Sequence, residues 1–298
     1  MKKPFELLVI SGKGGTGKTS VAASLASLAG RSAIADCDVD AADLHLVLMP
    51  KPCSSERFVA GHFASLDAAL CKDCGKCFDL CRAGAVKFKE GPEFFIDETQ
   101  CEGCGVCVRF CPQKAIAFKP RDCGELMVSE TRFGPMAHAR LKPGGENSGK
   151  LVSAVKEKAR EMAETAKLPL MIVDGPPGIG CPVIASMSGA SLALLVAEPA
   201  LSAEHDLLRA LKLLKQFNVP GALCVNKWDV NPELAEAIEK TALGLGIPSV
   251  GRIRYDSGIS KAQSLSKTVV ETDSPSCADF YALWDSLNRK HPLKGIAK

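Results

Sequence analysis

Eight cysteines carry the plainest chemistry in this chain. Cys71, Cys74, Cys77 and Cys81 form C-x2-C-x2-C-x3-C, and Cys101, Cys104, Cys107 and Cys111 repeat it at a constant offset of 30 residues. Flanking residues repeat at the same offset: Asp67 with Asp97, Gly75 with Gly105, Ala85 with Ala115 and Phe88 with Phe118. The unit is therefore a duplication. Structural zinc sites pair two C-x2-C knuckles. Three cysteines in one tight loop instead point their sulfurs at three corners of a single cubane, and the fourth corner must come from elsewhere. The runs thus predict two [4Fe-4S] clusters. With the last cysteine of each run serving the other cluster, Cys71, Cys74, Cys77 and Cys111 form one set and Cys81, Cys101, Cys104 and Cys107 the other. The second run closes on Cys111-Pro112 and the first on Cys81-Arg82, so the turns differ just past the last ligand. Ligation by thiolate alone predicts low reduction potentials.

A second constellation lies at the start of the chain. Phe5 to Ser11 reads as a buried strand, Gly12-Lys13-Gly14-Gly15-Thr16-Gly17-Lys18-Thr19 follows, and Val21 to Ala29 reads as a helix. Strand, glycine-rich loop and helix in that order make a phosphate cradle. Backbone N–H groups converge on phosphate oxygens, the helix N-terminus adds its positive pole, Lys18 reaches the terminal phosphates and Thr19 can ligate magnesium. Two further strands, Ser32 to Ala35 and Leu170 to Val173, run into Asp36-Cys37-Asp38-Val39-Asp40 and Asp174-Gly175-Pro176-Pro177-Gly178. Carboxylates at strand C-termini beside a phosphate loop are suited to magnesium and to positioning water, which singles out Asp38 and Asp174.

The elements that must hold these groups alternate. Leu192 to Ala197, Ala222 to Val225 and Ser249 to Ile253 read as strands, and Leu151 to Ala166, Ala203 to Phe217 and Pro232 to Leu245 as helices. The pattern predicts an α/β fold with a doubly wound, mostly parallel sheet. The cysteine runs fall inside it, so the nucleotide domain is expected at residues 1–62 and 122–298, with the duplicated unit inserted at 63–121. With 37 basic against 34 acidic residues and no long run of one sign, nucleic acid is not an expected partner. No apolar stretch reaches the roughly 18 residues of a membrane span. Fourteen cysteines without an export signal point to a reducing, cytoplasmic setting and to metal ligation. Near the end, Phe280, Leu283, Trp284 and Leu287 share one helical face, expected to dock on the core.

Lys13, two residues before Gly15-Thr16-Gly17-Lys18, is the extra lysine of the deviant Walker A motif. Together with Asp38 and Asp174-Gly175-Pro176-Pro177-Gly178, it makes the chain resemble the superfamily of MinD, ParA, Mrp and the nitrogenase iron protein. More narrowly, the chain resembles the MinD-like ATPases with an inserted two-cluster ferredoxin domain, and residues 141–150 resemble a glycine-rich stretch of that subfamily. The resemblance implies an ATPase, slow without a partner, that forms a homodimer with ATP. Lys13 would then reach the partner's phosphates, Asp38 orient the attacking water, Asp174 act through the water shell of Mg2+, and Asn226 hold the adenine edge. Asn226-Lys227 followed by Asp229 also fits a guanine-reading pattern, but the deviant lysine belongs to ATP users.

Three functions compete under this resemblance. One is an ATPase gating electron transfer to a redox partner, another an iron–sulfur carrier, and the third a positional switch. Eight cysteines in a closed frame favour permanent redox clusters. Of the remaining cysteines, Cys37, Cys53, Cys123, Cys224 and Cys277, most read as inert: Cys37 lies at a strand end and Cys224 in an apolar strand, where cysteine behaves as a small hydrophobe. Cys181 lies in the glycine-rich segment after Asp174, where the nitrogenase iron protein holds a cluster at its dimer axis.

Overall fold

The first strand is buried from Glu6 to Ser11 without alternation, apolar from Leu7 to Ile10, as a strand covered on both faces must be, which suits a place mid-sheet. The computed structural model describes residues 3–88, 93–142, 148–200 and 202–290. In chain order the elements are β1 (Phe5–Ser11), α1 (Lys18–Leu28), β2 (Ala33–Asp36), α2 (Leu44–Leu48), β3 (Lys51–Leu66), α3 (Lys76–Leu80), β4 (Val86–Phe88), β5 (Phe94–Ile96), α4 (Val106–Phe110), β6 (Ile116–Thr131) and β7 (Gly134–Leu141). There follow α5 (Ser148–Thr165), β8 (Leu170–Pro177), α6 (Cys181–Met187), β9 (Leu192–Ala197), α7 (Ala203–Gln216), β10 (Gly221–Asn226), α8 (Pro232–Gly244), β11 (Ser249–Ile253), α9 (Ser257–Ser264) and α10 (Cys277–Lys290). The large sheet has the order β11-β10-β9-β1-β8-β2-β7-β6-β3.

The chain divides into two units. The first comprises Met1–Glu56, Leu126–Arg140 and Ser148–Lys298, the second Arg57–Glu125 and Leu141–Asn147. The long strands β3 and β6 contribute residues to both.

In the first unit β1 pairs in parallel with β8 and β9, β10 with β9 and β11, and β2 with β8 and β7. The neighbours of β1 in sequence are thus not its neighbours in the sheet. Right-handed crossovers through helices enforce this, and the crevice they leave opens at the strand C-termini. The core joins Leu7 and Val9 of β1, Val21 and Leu25 of α1, and Phe280, Leu283 and Leu287 of α10, so the apolar face of the last helix is buried. Among the described residues no helix is long and apolar enough to cross a membrane.

The second unit shows the duplication in three dimensions. Helices α3 and α4 are capped by Gly75 and Gly105, both at φ 73°, a left-handed conformation that favours glycine. The backbone N–H of Asp67 donates to the carbonyl of Ala115, and that of Asp97 to the carbonyl of Ala85, each at 2.8 Å. Each half therefore closes on its duplicate and not on itself. The core here is small, built on Ala64, Ala85, Cys101 and Ile116 with other cysteines packed around them.

Strands β9 and β11 have the bounds expected from sequence. The reach of β3 and β6 was not expected, because residues 51–57 are polar and exposed and carry no buried face to mark a strand. Of the glycine-rich stretch 141–150, residues 143–147 lie outside the described residues, and Ser148–Lys150 opens α5.

Candidate functional site

The loop after β1 turns on two glycines. Gly15 and Gly17 hold φ of 80° and 86°, and a Cβ on Gly17 would run into the side-chain amide of Asn226. Only glycine admits both the backbone and the close approach. The loop delivers Lys18 to the first turn of α1, where the residue is 6% exposed. Its Nζ lies 3.1 Å from Asp174 Oδ1 and 3.2 Å from Asp38 Oδ2, with Thr19 Oγ1 at 3.5 Å. Three stretches far apart in sequence thus converge on one cation.

Burial opposes the charge on Lys18, but the carboxylates of Asp174 and Asp38 outweigh it and hold the ammonium above its usual pKa. Burial pushes the Asp174 carboxyl up, against the pull of Lys18. Asp36, buried beside them, is pushed well above the carboxylate range by burial and by Asp174. Asp174 Oδ2 and Asp36 Oδ2 are buried with no hydrogen-bond partner. An orphaned carboxylate oxygen next to a phosphate loop fits a divalent cation or its bound water. The cleft here holds about 470 Å3 and is lined by Gly14, Gly17, Lys18, Thr19, Asp38 and Asp40 among others. That volume lies within the roughly 300–1,000 Å3 of small-molecule sites.

Lys13, expected to reach a second subunit, is held within its own chain. Its Nζ pairs with Glu198 Oε1 at 2.9 Å. Lys227 pairs with the other oxygen of Glu198 at 2.8 Å and donates to the Gly15 carbonyl at 3.2 Å. Asn226, expected at an adenine edge, donates from Nδ2 to the Thr16 carbonyl at 2.7 Å and braces the loop from the end of β10. Asp229, which completes the guanine-reading pattern, accepts from the Tyr255 backbone N–H at 2.6 Å, so that oxygen is engaged within the protein. Glu198 and Asp36 escaped the sequence reading of the site. Only their places at the ends of β9 and β2 marked them.

The cysteines gather in two hollows. One, of about 350 Å3, is lined by Cys81, Cys101, Cys104 and Cys107. The other, shallower at about 20 Å3, is lined by Cys71, Cys74, Cys77 and Cys111. Each hollow receives three thiols from one run and the fourth from the other. Among the described residues no three His, Cys, Asp or Glu close to the spacing of a single metal ion, for which Zn–S bonds of about 2.3 Å would bring sulfurs to about 4 Å from one another. Four thiols, all soft donors, line each hollow, a donor set whose chemistry suits an iron–sulfur cluster. Burial, with Cys101 and Cys104 alongside, pushes the Cys107 thiol up to about 11. Cys181 is exposed at the start of α6.

A family model described as the CobQ/CobB/MinD/ParA nucleotide binding domain matches residues 7–269. The chain belongs to that family. As a MinD/ParA-type protein it is a nucleotide-binding ATPase with the α/β fold described above. An uncharacterized protein of Methanocaldococcus jannaschii is 36% identical over 230 residues, covering 76% of this chain and 79% of that protein. The cell division ATPase MinD of Pyrococcus furiosus matches with a TM-score of 0.57 at 18% identity, over 96% of this chain and 99% of that one. The septum site-determining protein MinD of Pyrococcus horikoshii, solved with Mg-ADP, gives 0.57 at 18% identity over 99% of each chain. At these identities the two MinD structures speak for the fold.

Proposed function

We propose that this MinD/ParA-type ATPase couples its nucleotide state to electron transfer through two [4Fe-4S] clusters held in a ferredoxin-like unit inserted at about residues 63–121. The observation that carries the reading is the reciprocal lining of the two hollows, four thiols each. When bound, the clusters carry single electrons, and magnesium screens the phosphate charge of ATP. The chain's own residues do the rest. Lys18 moves from its carboxylate partners onto the terminal phosphates, Thr19 and Asp174 hold magnesium directly or through water, and Asp38 turns the attacking water toward phosphorus. Asp38 lies just before α2 and β3, so a segment that responds to the γ-phosphate leads by chain into the cysteine unit.

Anaerobically prepared protein is expected to hold about eight irons per chain with matching sulfide. Cys81→Ser is expected to damage the cluster of the second run and spare the other. Zinc in place of iron would overturn the reading, and loss of the first run's cluster alone would overturn the crossed ligation.

ATP is expected to drive dimerisation through Lys13, which must exchange Glu198 for the partner's phosphates. Size exclusion with Mg-ATP tests this: Lys13→Ala elutes as a monomer where the wild type elutes as a dimer. A Lys13→Ala dimer indistinguishable from wild type would remove the sandwich.

The positional-switch reading is compatible with the MinD fold. It predicts ATP-dependent binding to vesicles or DNA that survives removal of the iron. A cargo-carrier reading predicts instead that clusters leave the chain when it turns over ATP.

A further inference from the structure

Arg121 is 9% exposed, and one of its terminal nitrogens donates to the backbone carbonyl of Cys101. Its guanidinium carbon lies 5.8 Å from the centre of the Phe63 ring. Its Nε is buried without a hydrogen-bond partner, and among the described residues no carboxylate is paired with it. A buried, unneutralised guanidinium is costly unless negative charge is nearby. The repeat offset places Gly91 where the second run has Arg121, so the first run has no arginine at the matching position in the sequence.

We propose that Arg121 is a tuning residue that makes the cluster of Cys81, Cys101, Cys104 and Cys107 the more readily reduced of the two, so that electrons entering the chain settle there. The inference rests on the two-cluster reading above. Reduction takes one electron from an external low-potential donor and changes the cluster core from 2+ to 1+, with no bond broken. The added negative charge is stabilised by a fixed positive neighbour, and the low dielectric around buried Cys101 strengthens that pull.

The competing influences are weaker. Backbone N–H groups reach sulfur in both sets, from Asp73 to Cys71 and Ala115 to Cys111 in one, and from Ala64 to Cys101 in the other, at 3.3–3.4 Å. These are dipoles and not full charges. Lys72, Lys76, Arg82 and Glu102 are exposed, so water and salt screen them.

The test is a potentiometric titration of the full-length, iron-loaded protein with dithionite, followed by electron paramagnetic resonance. Wild type is expected to show two one-electron steps whose reduction constants differ by at least tenfold, about 59 mV. Cys104→Ser is expected to move or remove the upper step, and Cys74→Ser the lower. Arg121→Gln is expected to reduce the upper constant by about tenfold or more and leave the lower step in place. Arg121→Lys, which keeps the charge, is expected to stay within about threefold of wild type. An upper step that belongs to the first run, or an Arg121→Gln protein with eight irons and unshifted steps, would overturn the assignment. If Arg121→Gln does not load iron, the two cysteine variants still decide which cluster is reduced first. Wild type without eight irons would instead sink the two-cluster reading itself.

Discussion

Lys18→Ala is expected to lower Mg-ATP hydrolysis by at least about a thousandfold, because the developing phosphate charge loses its main protein cation. The substitution also strips the buried Asp174 carboxylate of its only ion-pair partner among the described residues. Removing one member of a buried pair costs about 3–5 kcal/mol unless the survivor takes up a proton. Stability must therefore be followed alongside turnover. Asp38→Ala separates the two effects, since Lys18 keeps Asp174 and no buried charge is left alone. That variant is expected to bind ATP, to dimerise and to hydrolyse about 100- to 10,000-fold more slowly. Normal turnover in Asp38→Ala, measured as phosphate release, would refute the role given to Asp38.

Stripping the iron is expected to unfold the cysteine unit while the nucleotide unit stays intact. The buried apolar residues of that unit are few, its cysteines make up much of what packs around them, and Phe78, Phe88, Phe110 and Phe118 are exposed. On the two-cluster reading, so small a core does not offset the chain entropy of ordering the unit, and metal binding would supply the missing folding free energy. Hydrogen exchange reads the outcome segment by segment. Amides of β4, β5, α3 and α4 are expected to lose protection in the apo protein, while those of β1, β8 and β9 keep it. Full protection of the four former elements without iron would mean that the unit folds on its own.

The chemistry was legible in the sequence wherever it depends on short spacing. Three cysteines within one loop, or a lysine after three glycines, must act together whatever the rest of the chain does. The buried strand β9 was legible too, because an unbroken apolar run has nowhere else to go, whereas β11, with Arg252 in it, was marked by its place in the alternation of strands and helices. What sequence could not give is what long-range folding decides. Glu198 stands 185 residues from Lys13, and nothing local says that the two meet. In the sequence Arg121 marks only the end of the inserted unit, whereas in the structure it holds the carbonyl of Cys101, 20 residues earlier. The polar strand β3 gains its conformation from pairing at the sheet edge and not from any periodicity of its own. That the amide of Asn226 braces the phosphate loop 210 residues earlier is likewise invisible locally.

Coupling of nucleotide to redox state is read from the cluster reduction constants of anaerobic Asp38→Ala protein with Mg-ATP, set against the same protein with Mg-ADP. At least one constant is expected to differ by about tenfold, or about 59 mV, between the two nucleotides. By linkage, reduction must then change the affinity for ATP relative to ADP by the same factor. Superimposable titrations with the two nucleotides would contradict the account and leave an ATPase and an iron–sulfur unit that merely share a chain.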